Sequence, residues 1–320
     1  MSGYLARRLL QTIPLLLGVA AVVWGMIEVA PGDPIVAIAG EDGDPAYYAE
    51  MRERFGLDRP APERFAAYLG NVARGDLGTS YRLQRPAAAV VLEALPATLL
   101  LVAPALLLAT LLGTTLGTLA ARRHGSRSDA ALSALSLTGQ ALPVFWTAQL
   151  LVLVFAYRLA WFPVQGMEGL RGDAEGLARL ADVAHHMVLP VAALTLQYAA
   201  PVARVARASV VDVLHRDYLR TALAKGLPAG RVLRAHALRT ALLPVVTVVA
   251  AQMGFLVTGS VLVETVFAWP GVGRVMLGAM LARDLPVVTA ALLLLAVAVV
   301  LANLLADLLY AALDPRVRDA

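Results

Sequence analysis

Apolar residues along this chain gather into six long runs, approximately Leu9–Val29, Thr98–Ala121, Leu132–Tyr157, Met187–Val205, Leu242–Val263 and Val287–Leu309. A bilayer core about 30 Å thick is crossed by a helix of about 20 apolar residues, so each run is long enough to span it. No short-period repeat appears, which excludes a solenoid. The pattern predicts an all-α integral membrane protein with six transmembrane helices, forming one domain over residues 1–320. Residues 31–97 form a long segment on one side, and residues 206–241 a loop on the other. Arg7 and Arg8 precede the first run and give it the look of a signal peptide. That run is longer than a typical apolar signal region and ends in Val29-Ala30-Pro31, not in a clear small-x-small cleavage site, so it reads as a retained helix.

Charge placement orients the spans. Segment 122–131 holds Arg122, Arg123 and Arg127 against Asp129 alone. Segment 204–241 holds Arg204, Arg207, Arg216, Arg220, Lys225, Arg231, Arg234 and Arg239 against Asp212 and Asp217. In a six-span chain these loops share a side with both termini, and the excess of basic residues makes that side cytoplasmic. Residues 31–97 are then extracytoplasmic. Trp161 with Phe162, and Phe267 with Trp269, follow spans three and five at depths suited to an outer aromatic belt.

Composition agrees and removes several functions. Of 320 residues, 59% are hydrophobic and 16% charged, where a soluble domain carries about a quarter charged. The net charge of +4 comes almost wholly from arginine, and in a membrane protein it implies anionic lipid at the cytoplasmic surface and not nucleic acid. Without cysteine there is no disulfide, thiolate metal site or thiol nucleophile. The one lysine, Lys225, is followed by Gly226, so no Gly-Lys-Ser/Thr phosphate loop exists and the chain has no such ATPase of its own.

The most informative stretch is RDYLRTALAKGLPAGRVLRAHALRTALLP, residues 216–244. From Val211, apolar Leu214, Tyr218 and Ala222 recur at helical spacing between Arg216, Asp217 and Arg220, predicting an amphipathic helix. Gly226 suits the left-handed position after a helix end, Leu227 can pack back on Ala222, and Pro228 forbids continuation. Pro228 can then open a second short helix through Arg231, Val232 and Ala235. Such a helix pair either lies on anionic lipid or docks into a protein groove. Its small apolar face, with Ala222, Ala224 and Gly226, suits the groove better.

The same stretch resembles the cytoplasmic signature loop of ABC importer permeases, whose loose pattern is Glu-Ala-Ala, three residues, then Gly. Arg220-Thr221-Ala222 stands for the first three and Gly226 for the glycine. Asp217 through Leu227, with Arg220 in place of the glutamate and Pro244 set far from the glycine, is similar to the dipeptide/oligopeptide branch. Further likenesses are Ala30-Pro31-Gly32-Asp33-Pro34, Gly75-Asp76-Leu77-Gly78-Thr79-Ser80, Leu95-Pro96-Ala97-Thr98, Glu264 through Gly273, and Asp307-Leu308-Leu309-Tyr310 with Asp314-Pro315-Arg316. The long segment after span one looks like the first of the two permease subunits in such importers. The resemblance implies the type I ABC importer permease fold and alternating access. It also implies a homologous second permease, two cytoplasmic ATPase subunits that use ATP and Mg, and an extracytoplasmic solute-binding protein. Asp217, Tyr218, Arg220, Thr221, Ala222, Lys225, Gly226 and Leu227 would be the loop that docks on the ATPase. The chain itself would bind no cofactor and catalyse nothing. Dipeptides, longer peptides, nickel chelates and glutathione are all carried by such relatives.

Other candidates have two readings each. Glu28, near the outer end of span one, reads as structural or solvated. Glu264 either caps an outer loop or lines the transport path. Trp146 and Gln149 with Pro143, and Gln252 with Gly254 and Gly259, either face a pathway or serve helix packing. His185 and His186 diverge by about 100° on a helix with no matching ligand nearby, so no metal site is expected. No Gly-x-Ser-x-Gly elbow or other catalytic constellation occurs. A self-powered secondary transporter would want inverted repeats and charge-lined broken spans, and neither is evident.

Overall fold

The computed structural model describes residues 2–29, 44–54, 58–169 and 175–313, and among them every named element is a helix. The Ala30–Pro34 and Asp314–Arg316 likenesses lie outside the described residues. Helices α1 Ser2–Val29, α2 Pro45–Arg54 and α3 Ala61–Ala73 precede α4 Ala87–Arg122. Helix α5 Arg127–Ala141 is followed by α6 Val144–Leu151, which continues in wider π-helical turns over Val152–Arg158. Then come α7 Gly176–Leu214, α8 Asp217–Ala224 and the single turn α9 Ala229–Arg231, which widens over Val232–Ala237 into α10 Leu238–Val266. Helices α11 Val272–Leu281 and α12 Leu285–Leu313 complete the series.

Four of these helices are long and apolar enough to cross a membrane: α1, α4, α7 and α12. The other two expected spans are bent. What reads in sequence as one span over Leu132–Tyr157 is two helices set at 100°. Pro143 is the cause. It disfavours helical backbone at the residue before it, and Leu142 accordingly sits extended at φ −81°, ψ 129°. The fifth span bends by 60° between Gly254 and Gly259. Counting each bent pair once gives six.

The residues form two compact units, Met1–Leu95 with Val275–Val300, and Pro96–Arg274 with Leu301–Ala320. In the first, α3 lies against α1 through Trp24 on Phe65, with ring centroids 5.2 Å apart, and an Arg64–Glu28 ion pair. Glu28 is thus paired. The Gly75–Ser80 motif forms a knot. Gly75 and Gly78 take left-handed backbone at φ +79° and +86°, and Asp76 accepts a bond from the Gly78 N–H at 3.0 Å. The buried Asp284 carboxylate, at the start of α12, then accepts from the Ser80 hydroxyl and from the N–H groups of Tyr81 and Arg82.

The second unit is assembled around α7. Helix α4 reaches it through Gly113 and Gly117, one turn apart. A Cβ on Gly113 would stand 2.6 Å from the Ala199 carbonyl oxygen, and one on Gly117 would stand 2.8 Å from Ala206 Cβ. Small residues at this spacing let helix backbones touch where lipid gives no hydrophobic drive to associate. Helix α5 meets α7 at Gly139, whose Cβ would lie 3.3 Å from the Leu196 carbonyl oxygen, and α10 packs Val245 against Val202 and Ala206.

Trp269 and Phe267 are core residues of this unit, not members of an outer belt. The reason is polar. The Trp269 indole N–H donates to the Ala97 carbonyl at 2.8 Å, and satisfying that donor internally lets the ring be buried. Trp161 is exposed. Because Gly117 leaves no room for a side chain, Gly117→Leu should prevent a monodisperse folded protein. Gly117→Ala should cost about 1–3 kcal/mol by overpacking. Gly18→Ala, where nothing lies within 4 Å, should leave the melting midpoint of the detergent-solubilised chain unchanged. Equal midpoints for the Gly117→Ala and Gly18→Ala variants would contradict this packing.

Candidate coupling surface and pathway residues

Helix α7 does not run on into the loop as the spacing of Leu214, Tyr218 and Ala222 suggests. It stops at Leu214, its end closed by bonds from the His215 and Arg216 N–H groups to the Asp212 and Val213 carbonyls. Helix α8 starts afresh at Asp217. The break re-aims the apolar stripe. Leu219, 1% exposed, becomes the anchor, while Tyr218 is 45% exposed. Leu219 sits in a cluster with Val210 and Val213 of α7, Ala121 of α4, Val232, Leu233 and Ala237, with Ala222 and Leu227 packed on its edge.

The end of α8 follows its sequence signals. Gly226 is left-handed at φ +81°, and the Leu227 N–H reaches back to the Ala222 carbonyl at 3.4 Å. That is the six-to-one bond expected when a left-handed glycine follows a helix. Pro228 opens the next helix, as its sequence position suggests, but that helix is not a short one. The Pro228 carbonyl accepts from the Arg231 and Val232 N–H groups, and the chain then continues through α9 into α10. Asp217, Arg220, Thr221, Lys225 and Gly226 are exposed alongside Tyr218. The result is a two-turn helix with a mixed polar and aromatic outer face, tied by Leu219 to the ends of two long helices.

One polar cluster braces the frame. Arg207 of α7 grips Asp129 of α5 with two bonds, Nε to Oδ1 at 2.6 Å and Nη2 to Oδ2 at 2.7 Å. Asp129 is 3% exposed and also accepts from the Gly125 N–H at 3.0 Å. A bidentate arginine–carboxylate pair fixes relative orientation as well as distance.

The pathway candidates do not come together as one patch. Trp146 and Gln149 share an exposed face of α6. Gln252 is buried, and among the described residues neither its amide oxygen nor its nitrogen has a hydrogen-bond partner. Gly259 admits the Tyr198 hydroxyl, which a Cβ would displace. Glu264 is wholly enclosed. Its carboxylate accepts from the Thr98 hydroxyl at 2.8 Å, the Ser260 hydroxyl at 3.1 Å and the Arg274 N–H at 3.2 Å. Thr98 also accepts from the Val272 N–H at 2.9 Å. Glu264 and Thr98 together therefore satisfy the first orphan N–H groups of α11, which is the capping reading. His185 and His186 donate to the carbonyls of Trp161 and Asp182.

Residues 113–319 match the family described as binding-protein-dependent transport system inner membrane component, and residues 1–102 match its N-terminal counterpart. The chain belongs to this family. It is a multi-pass inner membrane protein and a non-catalytic permease subunit of an importer that works with ATPases and a binding protein. It is 38% identical to the di/tripeptide transport system permease protein DppB of Pseudomonas aeruginosa, covering 99% of both chains. It is also 38% identical to the oligopeptide transport system permease protein AppB of Bacillus subtilis, again over 99% of each. Its fold is that of type I importer permeases. A solved structure of the inward-facing MetNI methionine ABC transporter superposes with a TM-score of 0.54 at 18% identity, covering 70% of this chain and 96% of that one.

Sequence reasoning about this permease misses two pieces of the frame. The Gly113–Gly117 spacing is itself a signal for helix contact, and Asp129, the single acid in an arginine-rich loop, is a signal for a buried pair. Both were legible as patterns. If Leu219 anchors α8, Leu219→Ala should cost about 2–5 kcal/mol of local stability. Amide hydrogen exchange over residues 217–227 should then accelerate while α4 and α7 stay protected. Unchanged exchange would mean that the cluster does not hold the loop.

Proposed function

We propose that this permease forms half of the translocation pathway of an ATP-driven importer for dipeptides, oligopeptides or a related small solute. It pairs with a homologous second permease and docks on cytoplasmic ATPase subunits through the outer face of α8. An extracytoplasmic solute-binding protein delivers substrate. The observation that carries this reading is the construction of α8: a short helix whose exposed face bears Tyr218, Arg220, Thr221 and Lys225, while its inner face is wedged between the ends of α7 and α10. A segment meant to rest on lipid would turn its large aliphatic anchor outward, whereas Leu219 here is buried against the protein.

Force transfer follows from the packing. Because Leu219 contacts residues of α7 and the start of α10, a push on α8 moves both helices as bodies, which is the kind of discrete rearrangement packed elements support. ATP and Mg act in the partner subunits. The transported solute is read from the relatives, whose names specify peptides. Gln252 and the exposed pair Trp146 and Gln149 remain the residues that support a pathway role. A buried amide with no partner costs about 1–3 kcal/mol, a cost removed if the second permease, water or substrate supplies the bond. The arginine bias supports termini inside and residues 31–97 outside.

Two measurements test this reading. With no Cβ neighbour within 4 Å at Gly226, the cost of a side chain there is backbone strain, about 1–2 kcal/mol and more when β-branched. Gly226→Val should leave membrane abundance near normal, weaken co-purification of the ATPase subunits and abolish uptake, and Gly226→Asn should be milder. Wild-type behaviour of the valine variant in both assays would falsify the docking role. For orientation, a membrane-impermeant thiol reagent on intact cells should label a cysteine placed at Asp76 and spare one at Arg231; the reverse would invert the topology.

A further inference from the structure

Between α4, α5 and α7 lies a cleft of about 200 Å³. Gly117 and Ala203 line it, at the point where α4 and α7 approach so closely that no side chain stands between them. Its lining combines apolar Leu116, Leu132 and the exposed Leu137 with Arg204 and Arg207.

The two arginines differ. Arg207 is neutralised by Asp129, which is fully occupied by its own bonds. Arg204 donates only to the neutral Gln140 Oε1, at 2.6 Å, and no carboxylate pairs with it among the described residues. Arg122, Arg123 and Arg127 are exposed on the loop between α4 and α5, adding positive potential at the same end of these helices. An uncompensated guanidinium at the end of a membrane span, beside apolar side chains, matches the junction between a lipid phosphate and its acyl chain. A free phosphate or a partner's carboxylate would satisfy Arg204 but leave the apolar lining uncovered.

We propose that this cleft binds one anionic phospholipid, its phosphate on the Arg204 guanidinium and an acyl chain along Leu116, Leu132 and Leu137. The proposal rests on α4, α5 and α7 crossing the membrane and is independent of the docking role of α8.

The test is native mass spectrometry of the detergent-solubilised full chain and of the complete importer. Each is exchanged into mixed micelles of phosphatidylglycerol and phosphatidylcholine, with inorganic phosphate as a separate arm. Wild type should retain one phosphatidylglycerol in preference to phosphatidylcholine in both preparations. Arg204→Gln removes the charge and should reduce that preference about tenfold, the scale of one charge-assisted hydrogen bond. Arg204→Lys should keep part of it, and Arg158→Gln, outside the cleft and after α6, all of it. Ser136→Leu fills the cleft with the charge intact and should also abolish retention, which separates loss of binding from misfolding at Arg204. Equal retention of both lipids by wild type overturns the site. So does undiminished preference in Arg204→Gln and Ser136→Leu. Competition by millimolar inorganic phosphate would make it an anion site without lipid specificity, and loss of the lipid in the complete importer would make the cleft a subunit contact; either result refutes the proposal.

Discussion

The close seating of α4 on α7 is the contact on which the second unit depends. In lipid, two apolar helices gain nothing by hiding from water, so their association must come from packing and from polar bonds made between them. Gly113 and Gly117 supply the packing by letting backbone meet backbone. Asp129 and Arg207 supply the polar bond between α5 and α7. Once α7 is fixed by both, Val202 and Ala206 can receive α10, and the cluster around Leu219 has rigid walls to form against. A larger residue at Gly117 would disturb the whole series, since each later contact assumes the position of α7.

Two buried carboxylates do comparable work in the separate units. Asp284 gathers a hydroxyl and two N–H groups from the Ser80–Arg82 turn. Glu264 gathers two hydroxyls and an N–H at the start of α11. A buried carboxylate is tolerable only when several donors converge on it, so each is a strong constraint on the local chain path. Crowding explains one glycine and backbone the other. A Cβ at Gly271 would stand 2.4 Å from the Glu264 carboxylate, whereas Gly78 is set by its left-handed φ of +86°. At Glu264 the same carboxylate also closes the start of α11 by accepting from the Arg274 N–H.

The loop at 216–228 shows how a short helix can be held in place. Two turns of helix in isolation would be unstable in water. Here α8 persists because its start is set off by the stop at Leu214, its end is closed by Gly226, and its Leu219 side chain is fully buried. Exposed polar side chains can then vary in what they touch without loosening the helix that carries them. The helix is held by Leu219 and Gly226, and Tyr218, Arg220 and Thr221 are exposed beside them.

Much of this was determined by the sequence alone. Hydrophobic run length dictates helices that cross a bilayer, because lipid offers the backbone no other hydrogen-bond partner. Proline and glycine dictate where they stop, as Gly226 with Pro228 ends α8 and Pro143 breaks the third run. The family likeness in Asp217–Leu227 is carried by those same residues. Only the tertiary structure decided which faces those helices present. Position after span five put Trp269 in the outer belt, whereas an indole N–H aimed at the Ala97 carbonyl allowed it to be buried; the break at His215–Arg216 turned Leu219, which the spacing did not single out, inward. Local pattern sets how long a helix is and where it ends. Which residues meet across helices depends on contacts from 36 to 204 positions apart in the chain, and no local period encodes those.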